Sequence, residues 1–418
     1  MVKRYNGMKG LTLHESLLID HNREDLMGLA DLLGLKGVSS FRKRELAEMV
    51  ADALLVPDVM RDYMAVLRDH EIAAFETVLK TGTMDLGDRE GADEWEELSL
   101  YSRLEDLGYL AYMEGCWEVV PEDVAEAYRL IDNDEFHALR RERSWLADCL
   151  FFFASVRGIA PFKEVAEAYN RREGFHKSED ELLEMFTFLP DQNVTLVDGC
   201  IVSGVLSEEV LGQAHIGGKI FSCGTIGAGE IEGFARYLYP VGEESYRALG
   251  DFFETVMEMG RGESGELLME TFLYFSTGGK ANDFLDEMDQ WEHVILPGGR
   301  DLEHLKDLIN DAYAHTRMLV LGGCKPMEVL RLLEERSENV QVIKPTSTLA
   351  ATLLLSKKKE LDALGLKYDL DANAVKMPIF FFPKNISGNM VSSVKRVYLD
   401  DPCPCRSGKL FKDCCGKK

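Results

Sequence analysis

The chain has no long hydrophobic run. Its longest apolar stretches, around Cys149–Val156 and Met377–Pro383, are short, well below the ~20 residues needed to cross a bilayer as a helix. The opening MVKRYNGMKGLTLHES carries no apolar signal core, so a cytoplasmic protein without a membrane span is expected. Basic residues are outnumbered: 47 Lys and Arg stand against 73 Asp and Glu, for a net charge of -26. A body that acidic is repelled by phosphate backbones and anionic lipid, so any such contact must come from a local basic segment.

The usual catalytic constellations are missing too. Gly217-Gly218-Lys219 and Gly278-Gly279-Lys280 lack the Ser or Thr that follows a phosphate-loop lysine. The Gly224–Gly229 run has no strand and acidic partner placed around it. Nine histidines form no close pair at metal-ligand spacing, and there is no G-x-S-x-G. No enzyme is expected. A hydrolase within residues 205–375, using Arg317 or His315, is the most distant reading.

What is present is unevenly spread. The 418 residues are 46% hydrophobic and 29% charged, which is ordinary globular composition with room for two to four domains. Residues 1–80 carry net charge -2 and residues 384–418 carry +5, leaving -29 in the middle. Cysteine divides the same way. Cys116, Cys149, Cys200, Cys223 and Cys324 are scattered singly and read as reduced core thiols. Cys403, Cys405, Cys414 and Cys415 crowd into thirteen residues.

That crowded segment, Asp401-Pro-Cys-Pro-Cys-Arg-Ser-Gly-Lys-Leu-Phe-Lys-Asp-Cys-Cys-Gly-Lys-Lys418, is too small and too poor in aromatics to bury a core. Four thiolates closing on zinc would supply the missing energy, an apparent ~10–16 kcal/mol for structural sites. The C-x-C and C-C pairs lie eight residues apart, and Ser407-Gly408 offers the turn that folds one onto the other. Four sulfurs fill a tetrahedron, so such a site is structural and not catalytic. Arg406, Lys409 and Lys412 offset its charge of -2.

The segment resembles the SEC-C motif, the zinc tail found at the end of the SecA translocase and in many bacterial proteins. Cys403, Pro404, Cys405, Ser407, Gly408, Lys409, Phe411, Lys412, Cys414, Cys415 and Gly416 match it, while Arg406 and Leu410 depart from it. The resemblance implies Zn2+ on the four cysteines and a tail that docks a protein partner or associates with ribosomes.

Near the other end, Asn22 is placed to cap a helix whose Leu26, Leu29 and Leu33 share a face. After an extended Gly34–Val38 connection, Ser39 or Ser40 caps a second helix that turns Leu46, Val50 and Leu54 inward. Lys36, Arg42, Lys43 and Arg44 are the candidate nucleic-acid contacts, with Glu24, Asp25, Asp31, Glu45 and Glu48 beside them. The segment 23–55 resembles the helix-extended-helix unit at the N-terminus of transcription termination factor Rho and, more loosely, SAP domains. In those relatives the unit assists nucleic-acid binding.

Two stretches in the body alternate as hairpins: Tyr109–Val120 around Glu114-Gly115 and Val194–Ser203 around Asp198-Gly199. Helices over 141–156, 161–172 and 178–188 precede the second. This plan suggests tandem winged-helix units, yet their candidate recognition helices, Ala92–Leu98 and Ser178–Glu184, are acidic and unsuited to the major groove. Residues 305–330 resemble a segment of uncharacterised bacterial SEC-C proteins, with Asn310, Thr316, Arg317, Gly323, Pro326 and Glu328 at the pattern positions. A helix, a break at Gly322-Gly323 and a new helix near Pro326 account for it structurally.

The expected fold is mainly α with small β-hairpins. The expected domains are a Rho-N/SAP-like head at 1–58, winged-helix-like units at 59–135 and 136–212, a helical region at 213–383 and the zinc motif at 398–418. The expected function is that of a non-enzymatic zinc-binding accessory or regulatory protein, with a head that contacts nucleic acid and a tail that docks a partner. The alternative is a protein-only adaptor that binds basic or ribosomal partners through its acidic body and tail.

Overall fold

A computed structural model describes residues 10–82, 84–85, 103–113, 117–190, 192–221, 223–291, 294–337, 378–381, 395–398, 402 and 407–414. The chain falls into two compact units, residues 1–326 and 327–418. The described residues are mainly helical, with two small three-stranded sheets and one two-stranded sheet.

In the first unit, helices α1 (Leu13–Asp20), α2 (Arg23–Leu32), α3 (Lys43–Leu54), α4 (Pro57–Met64) and α5 (Asp69–Thr81) come first. Capping residues set their limits. The Asn22 side chain accepts from the N–H groups of Glu24 (2.7 Å) and Asp25 (3.1 Å), while Asp25 reaches back to the Asn22 N–H at 2.7 Å. This reciprocal pair satisfies donors that the first helical turn leaves open. Pro57 starts α4, where its missing N–H costs nothing.

Strands β1 (Met84–Asp85), β2 (Ala111–Met113) and β3 (Trp117–Val119) form an antiparallel sheet in the order β1-β3-β2. Helices α6 (Glu122–Ile131) and α7 (Asp134–Val156) follow, then β4 (Ile159–Pro161), α8 (Phe162–Tyr169), α9 (Glu179–Thr187), β5 (Val194–Val197) and β6 (Cys200–Ser203). The second sheet repeats the order, β4-β6-β5. Its hairpin turns at Asp198 (φ 50°) and Gly199 (φ 73°), with Val197 facing Cys200. Two successive left-handed residues make the type I′ turn that the strand twist favours.

The remaining helices are α10 (Glu208–Ile220), α11 (Ala228–Tyr237), α12 (Glu244–Thr255), α13 (Arg261–Ser276), α14 (Ala281–Met288) and α15 (Arg300–His315). A 3-10 turn at Leu319–Leu321 leads to α16 (Pro326–Ser337), which starts on its proline as the sequence indicates. The second unit also contains the hairpin β7 (Pro378–Phe381) and β8 (Lys395–Tyr398), and a 3-10 turn at Phe411–Asp413.

Among the described residues of the first unit lie two apolar cores. One gathers Leu13, Leu26, Leu46 and Leu54 with Phe75, Tyr109, Tyr128 and Phe136. The helical pair 23–55 therefore shares its core with residues as far along as Phe136, and Tyr109 donates its hydroxyl to the Leu54 carbonyl at 2.8 Å. The other core runs from Trp145 to Met318. Helix α7 joins them, contributing Phe136 to the first and Trp145, Leu146, Cys149, Leu150, Phe152 and Phe153 to the second.

Charge fills the seam along α7. Arg140 donates to the Leu67 carbonyl at 2.8 Å and pairs with Asp69, Arg143 pairs with Asp62 at 2.6 Å, and Arg68 pairs with Asp148 at 2.7 Å. Asp148 is 6% exposed. Burial pushes its carboxyl up, and the Arg68 and Arg103 charges oppose that shift.

Candidate metal centre

In the cysteine-rich tail, Pro402 and Leu410 form an antiparallel bridge. That bridge closes the chain on itself across the stretch of sequence containing Cys403 and Cys405. The turn falls where the sequence places it: Gly408 has φ 74°, a left-handed conformation that glycine adopts without the steric cost of a Cβ. The 3-10 turn at Phe411–Asp413 then delivers Cys414, and the Asp413 N–H returns to the Leu410 carbonyl at 3.0 Å.

The Ser407 hydroxyl lies 3.2 Å from Cys414 Sγ and donates to it. A hydroxyl donor on a ligand atom is the kind of outer contact that orients a metal ligand. Cys414 is half-buried. Cys403, Cys405 and Cys415 lie outside the described residues, as does Arg406. What is described (the bridge, the left-handed turn and the hydroxyl on sulfur) fits a metal loop of the expected kind.

The head residues divide in role. Lys36, Arg42 and Arg44 are exposed. Lys43 is half-buried, and its Nζ donates to the Leu18 carbonyl at 2.8 Å, within the last turn of α1. A cation there satisfies an open carbonyl and opposes the helix dipole. Glu24, Asp25, Asp31, Glu45 and Glu48 are all exposed alongside.

Thr316, Arg317 and Gly323 of the Asn310-to-Glu328 pattern are built into a structural clasp. Arg317, 4% exposed, places Nε 2.5 Å and Nη2 2.9 Å from the two Glu230 oxygens and gives Nη1 to the Gly323 carbonyl at 3.0 Å. Thr316 shares a buried 2.7 Å hydrogen bond with Tyr246. His315 Nδ1 sits 2.8 Å from the Asp311 carbonyl. Gly322 and Gly323 are left-handed, φ 65° and 86°. The glycine pairs also have packing roles: Gly217 of α10 lies against the backbone of residues 320–322. Ala92–Leu98, the first acidic candidate helix, and Cys116 lie outside the described residues.

Among the described residues, Glu76, Asp132 and His137 bring their ligand atoms within 4.8 Å of one another, a grouping their sequence spacing does not reveal. Tyr128 donates to Glu76 at 3.0 Å, His137 Nε2 lies 2.8 Å from Asp132, and Lys80 is 3.8 Å from Glu76. These pairings knit the ends of α5, α6 and α7 together.

One expectation is corrected. Cys223 and Cys324, read as separate reduced thiols, form a disulfide with a Cα–Cα distance of 4.7 Å. Their separation of 101 residues hides the pairing from any local reading. Cys149 is buried and free, as expected, and Cys200 is half-buried and free.

The family model of the SEC-C motif matches residues 401–417. SEC-C motifs are associated with metal binding, and the match falls on the turn and bridge just described. No curated protein and no solved structure matches the chain. No described helix is long and apolar enough to cross a membrane.

Proposed function

We propose that the protein is a non-enzymatic accessory or regulatory factor whose SEC-C tail binds one Zn2+ through Cys403, Cys405, Cys414 and Cys415 and docks a protein partner. The match at residues 401–417 carries this reading. The Ser407 donor on Cys414 and the Pro402–Leu410 closure support it. A four-thiolate zinc leaves no open coordination position, so the tail serves as a folded docking element and not a reaction centre.

The non-enzymatic part of the reading draws on the two groups that a hydrolase in residues 205–375 would use. Arg317 is engaged by Glu230 and Gly323, and His315 by Asp311. Arg317 is committed to holding the fold, and His315 rests on its own helix.

In this proposal the head meets nucleic acid through Lys36, Arg42 and Arg44, which face solvent. Both three-stranded sheets have the first-third-second strand order of winged-helix units, and the second has helices α7, α8 and α9 in the matching places. Its helix before the hairpin, α9, exposes Glu179, Asp180, Glu181 and Glu184. That charge favours the second reading for this unit, a protein-only adaptor for basic partners.

The two readings separate by fluorescence anisotropy of labelled single- and double-stranded nucleic acid at two salt concentrations. The full chain is compared with a Lys36→Glu, Arg42→Glu, Arg44→Glu variant. Deleting the head would strip Leu26, Leu46 and Leu54 from a shared core, so charge reversal is the cleaner perturbation. Salt-sensitive binding lost in the variant supports the nucleic-acid head. Absence of binding at low salt leaves the adaptor.

A further inference from the structure

The Cys223–Cys324 disulfide joins two segments that a second clasp also joins. Cys223 lies in the connection between α10 and α11, and Cys324 lies between the Leu319–Leu321 turn and Pro326. Seven residues after Cys223, Glu230 holds Nε and Nη2 of Arg317, whose Nη1 donates to the carbonyl of Gly323, next to Cys324. One clasp is ionic and the other covalent.

The two cysteines differ in exposure. Cys324 is fully buried, while Cys223 is half-buried and followed by exposed Gly224 and Thr225. A thiol from solution therefore reaches Cys223 Sγ first. Cys324 is the leaving sulfur, and Arg317 Nη1 holds the carbonyl of the preceding Gly323 at 3.0 Å.

We infer that Cys223–Cys324 is a reversible thiol–disulfide exchange site for small-molecule thiols, and that its oxidation locks the 223–227 connection onto the turn at 319–324. A thiolate attacks Cys223 Sγ, the protein S–S bond breaks, and Cys324 leaves as a thiolate that takes a proton. A second thiolate then attacks the outer sulfur of the mixed disulfide and releases the Cys223 thiol. In sum, the protein disulfide and two small thiols give two protein thiols and one small-molecule disulfide, and the reverse reaction re-forms the bond. Reduction leaves the Arg317–Glu230 clasp and the close packing of Gly217 on residues 320–322 in place. It therefore frees a loop without unfolding the unit.

The test uses the full chain equilibrated in glutathione buffers of graded thiol-to-disulfide ratio, quenched with acid, alkylated and digested for mass spectrometry. Peptide mapping separates this pair from the tail cysteines. The expected result is a cross-linked peptide holding Cys223 and Cys324 at the oxidised end. It gives way to two alkylated peptides at the reduced end and returns when the ratio is reversed. Alkylation of both cysteines at every ratio, or a cross-link that glutathione never opens in the folded protein, overturns the inference. Hydrogen exchange across 223–227 supplies a second readout. Reduction should raise it at least ten-fold in the wild type, and Cys223→Ser should show the raised rate in both buffers. Equal protection of oxidised and reduced wild type overturns the lock.

Discussion

Replacing either Gly212 or Gly217 of α10 by Ala makes the same chemical change in the same helix, yet the surroundings predict opposite signs. An Ala in place of an interior helical Gly is intrinsically favourable by ~0.5–1 kcal/mol, because it narrows the unfolded chain's choices. At Gly212 an added Cβ meets nothing within 4 Å, so Gly212→Ala should stabilise by about that amount. At Gly217 the same Cβ would fall on the Val320 carbonyl oxygen, 2.5 Å from Gly322 N and 2.8 Å from Leu321 C. These are backbone atoms and cannot rotate aside, so helix and turn must separate. Overpacking of this kind costs ~1–3 kcal/mol, which exceeds the propensity gain. Gly217→Ala should therefore be net destabilising, and because the propensity gain is common to both, the two variants should differ by the overpacking cost alone, roughly 1–3 kcal/mol. Urea unfolding followed by circular dichroism, backed by melting midpoints, measures the difference. Equal stabilisation by both substitutions would show that α10 does not lie against residues 320–322.

Three further outcomes follow from buried charge and caps. Burial first, and then the Arg68 and Arg236 charges, hold the His70 imidazole down to about 4. The unfolded chain therefore takes up a proton that the folded chain refuses. The His70 contribution is complete above about pH 6.5 and is lost as pH falls from there toward 4. His70→Gln should flatten that limb by about 1–2 kcal/mol, allowing for water near the ring, as read from urea midpoints between pH 7 and 4. Arg317→Met leaves the Glu230 carboxylate and the Gly323 carbonyl without their donor. It should cost ~3–5 kcal/mol, while an unchanged unfolding midpoint would remove Arg317 from the clasp. Asn22→Ala removes the side-chain acceptor at the start of α2 and should cost ~1 kcal/mol in the same assay.

What the sequence made legible was local. Asn22 marks the start of α2, Asp198-Gly199 sets a hairpin register, and Pro326 opens α16. Each works through a hydrogen bond or dihedral within a few residues. The tail was legible for the same reason, since its cysteine spacing and Gly408 lie in one short stretch. What escaped depends on distant contacts. Apolar spacing placed Leu46, Val50 and Leu54 on one face without revealing that Tyr109, Tyr128 and Phe136 complete their core. Lys43 reads as a solvent-facing cation until α1 arrives beside it. Cys223 and Cys324 read as singles because 101 residues separate them.

The most direct test of the metal-binding tail is elemental analysis of the purified full chain beside a Cys414→Ser, Cys415→Ser variant. About one zinc per chain in the wild type and none in the variant is the predicted result. Full zinc retention in the variant, or a wild-type chain that takes up no zinc, would contradict it.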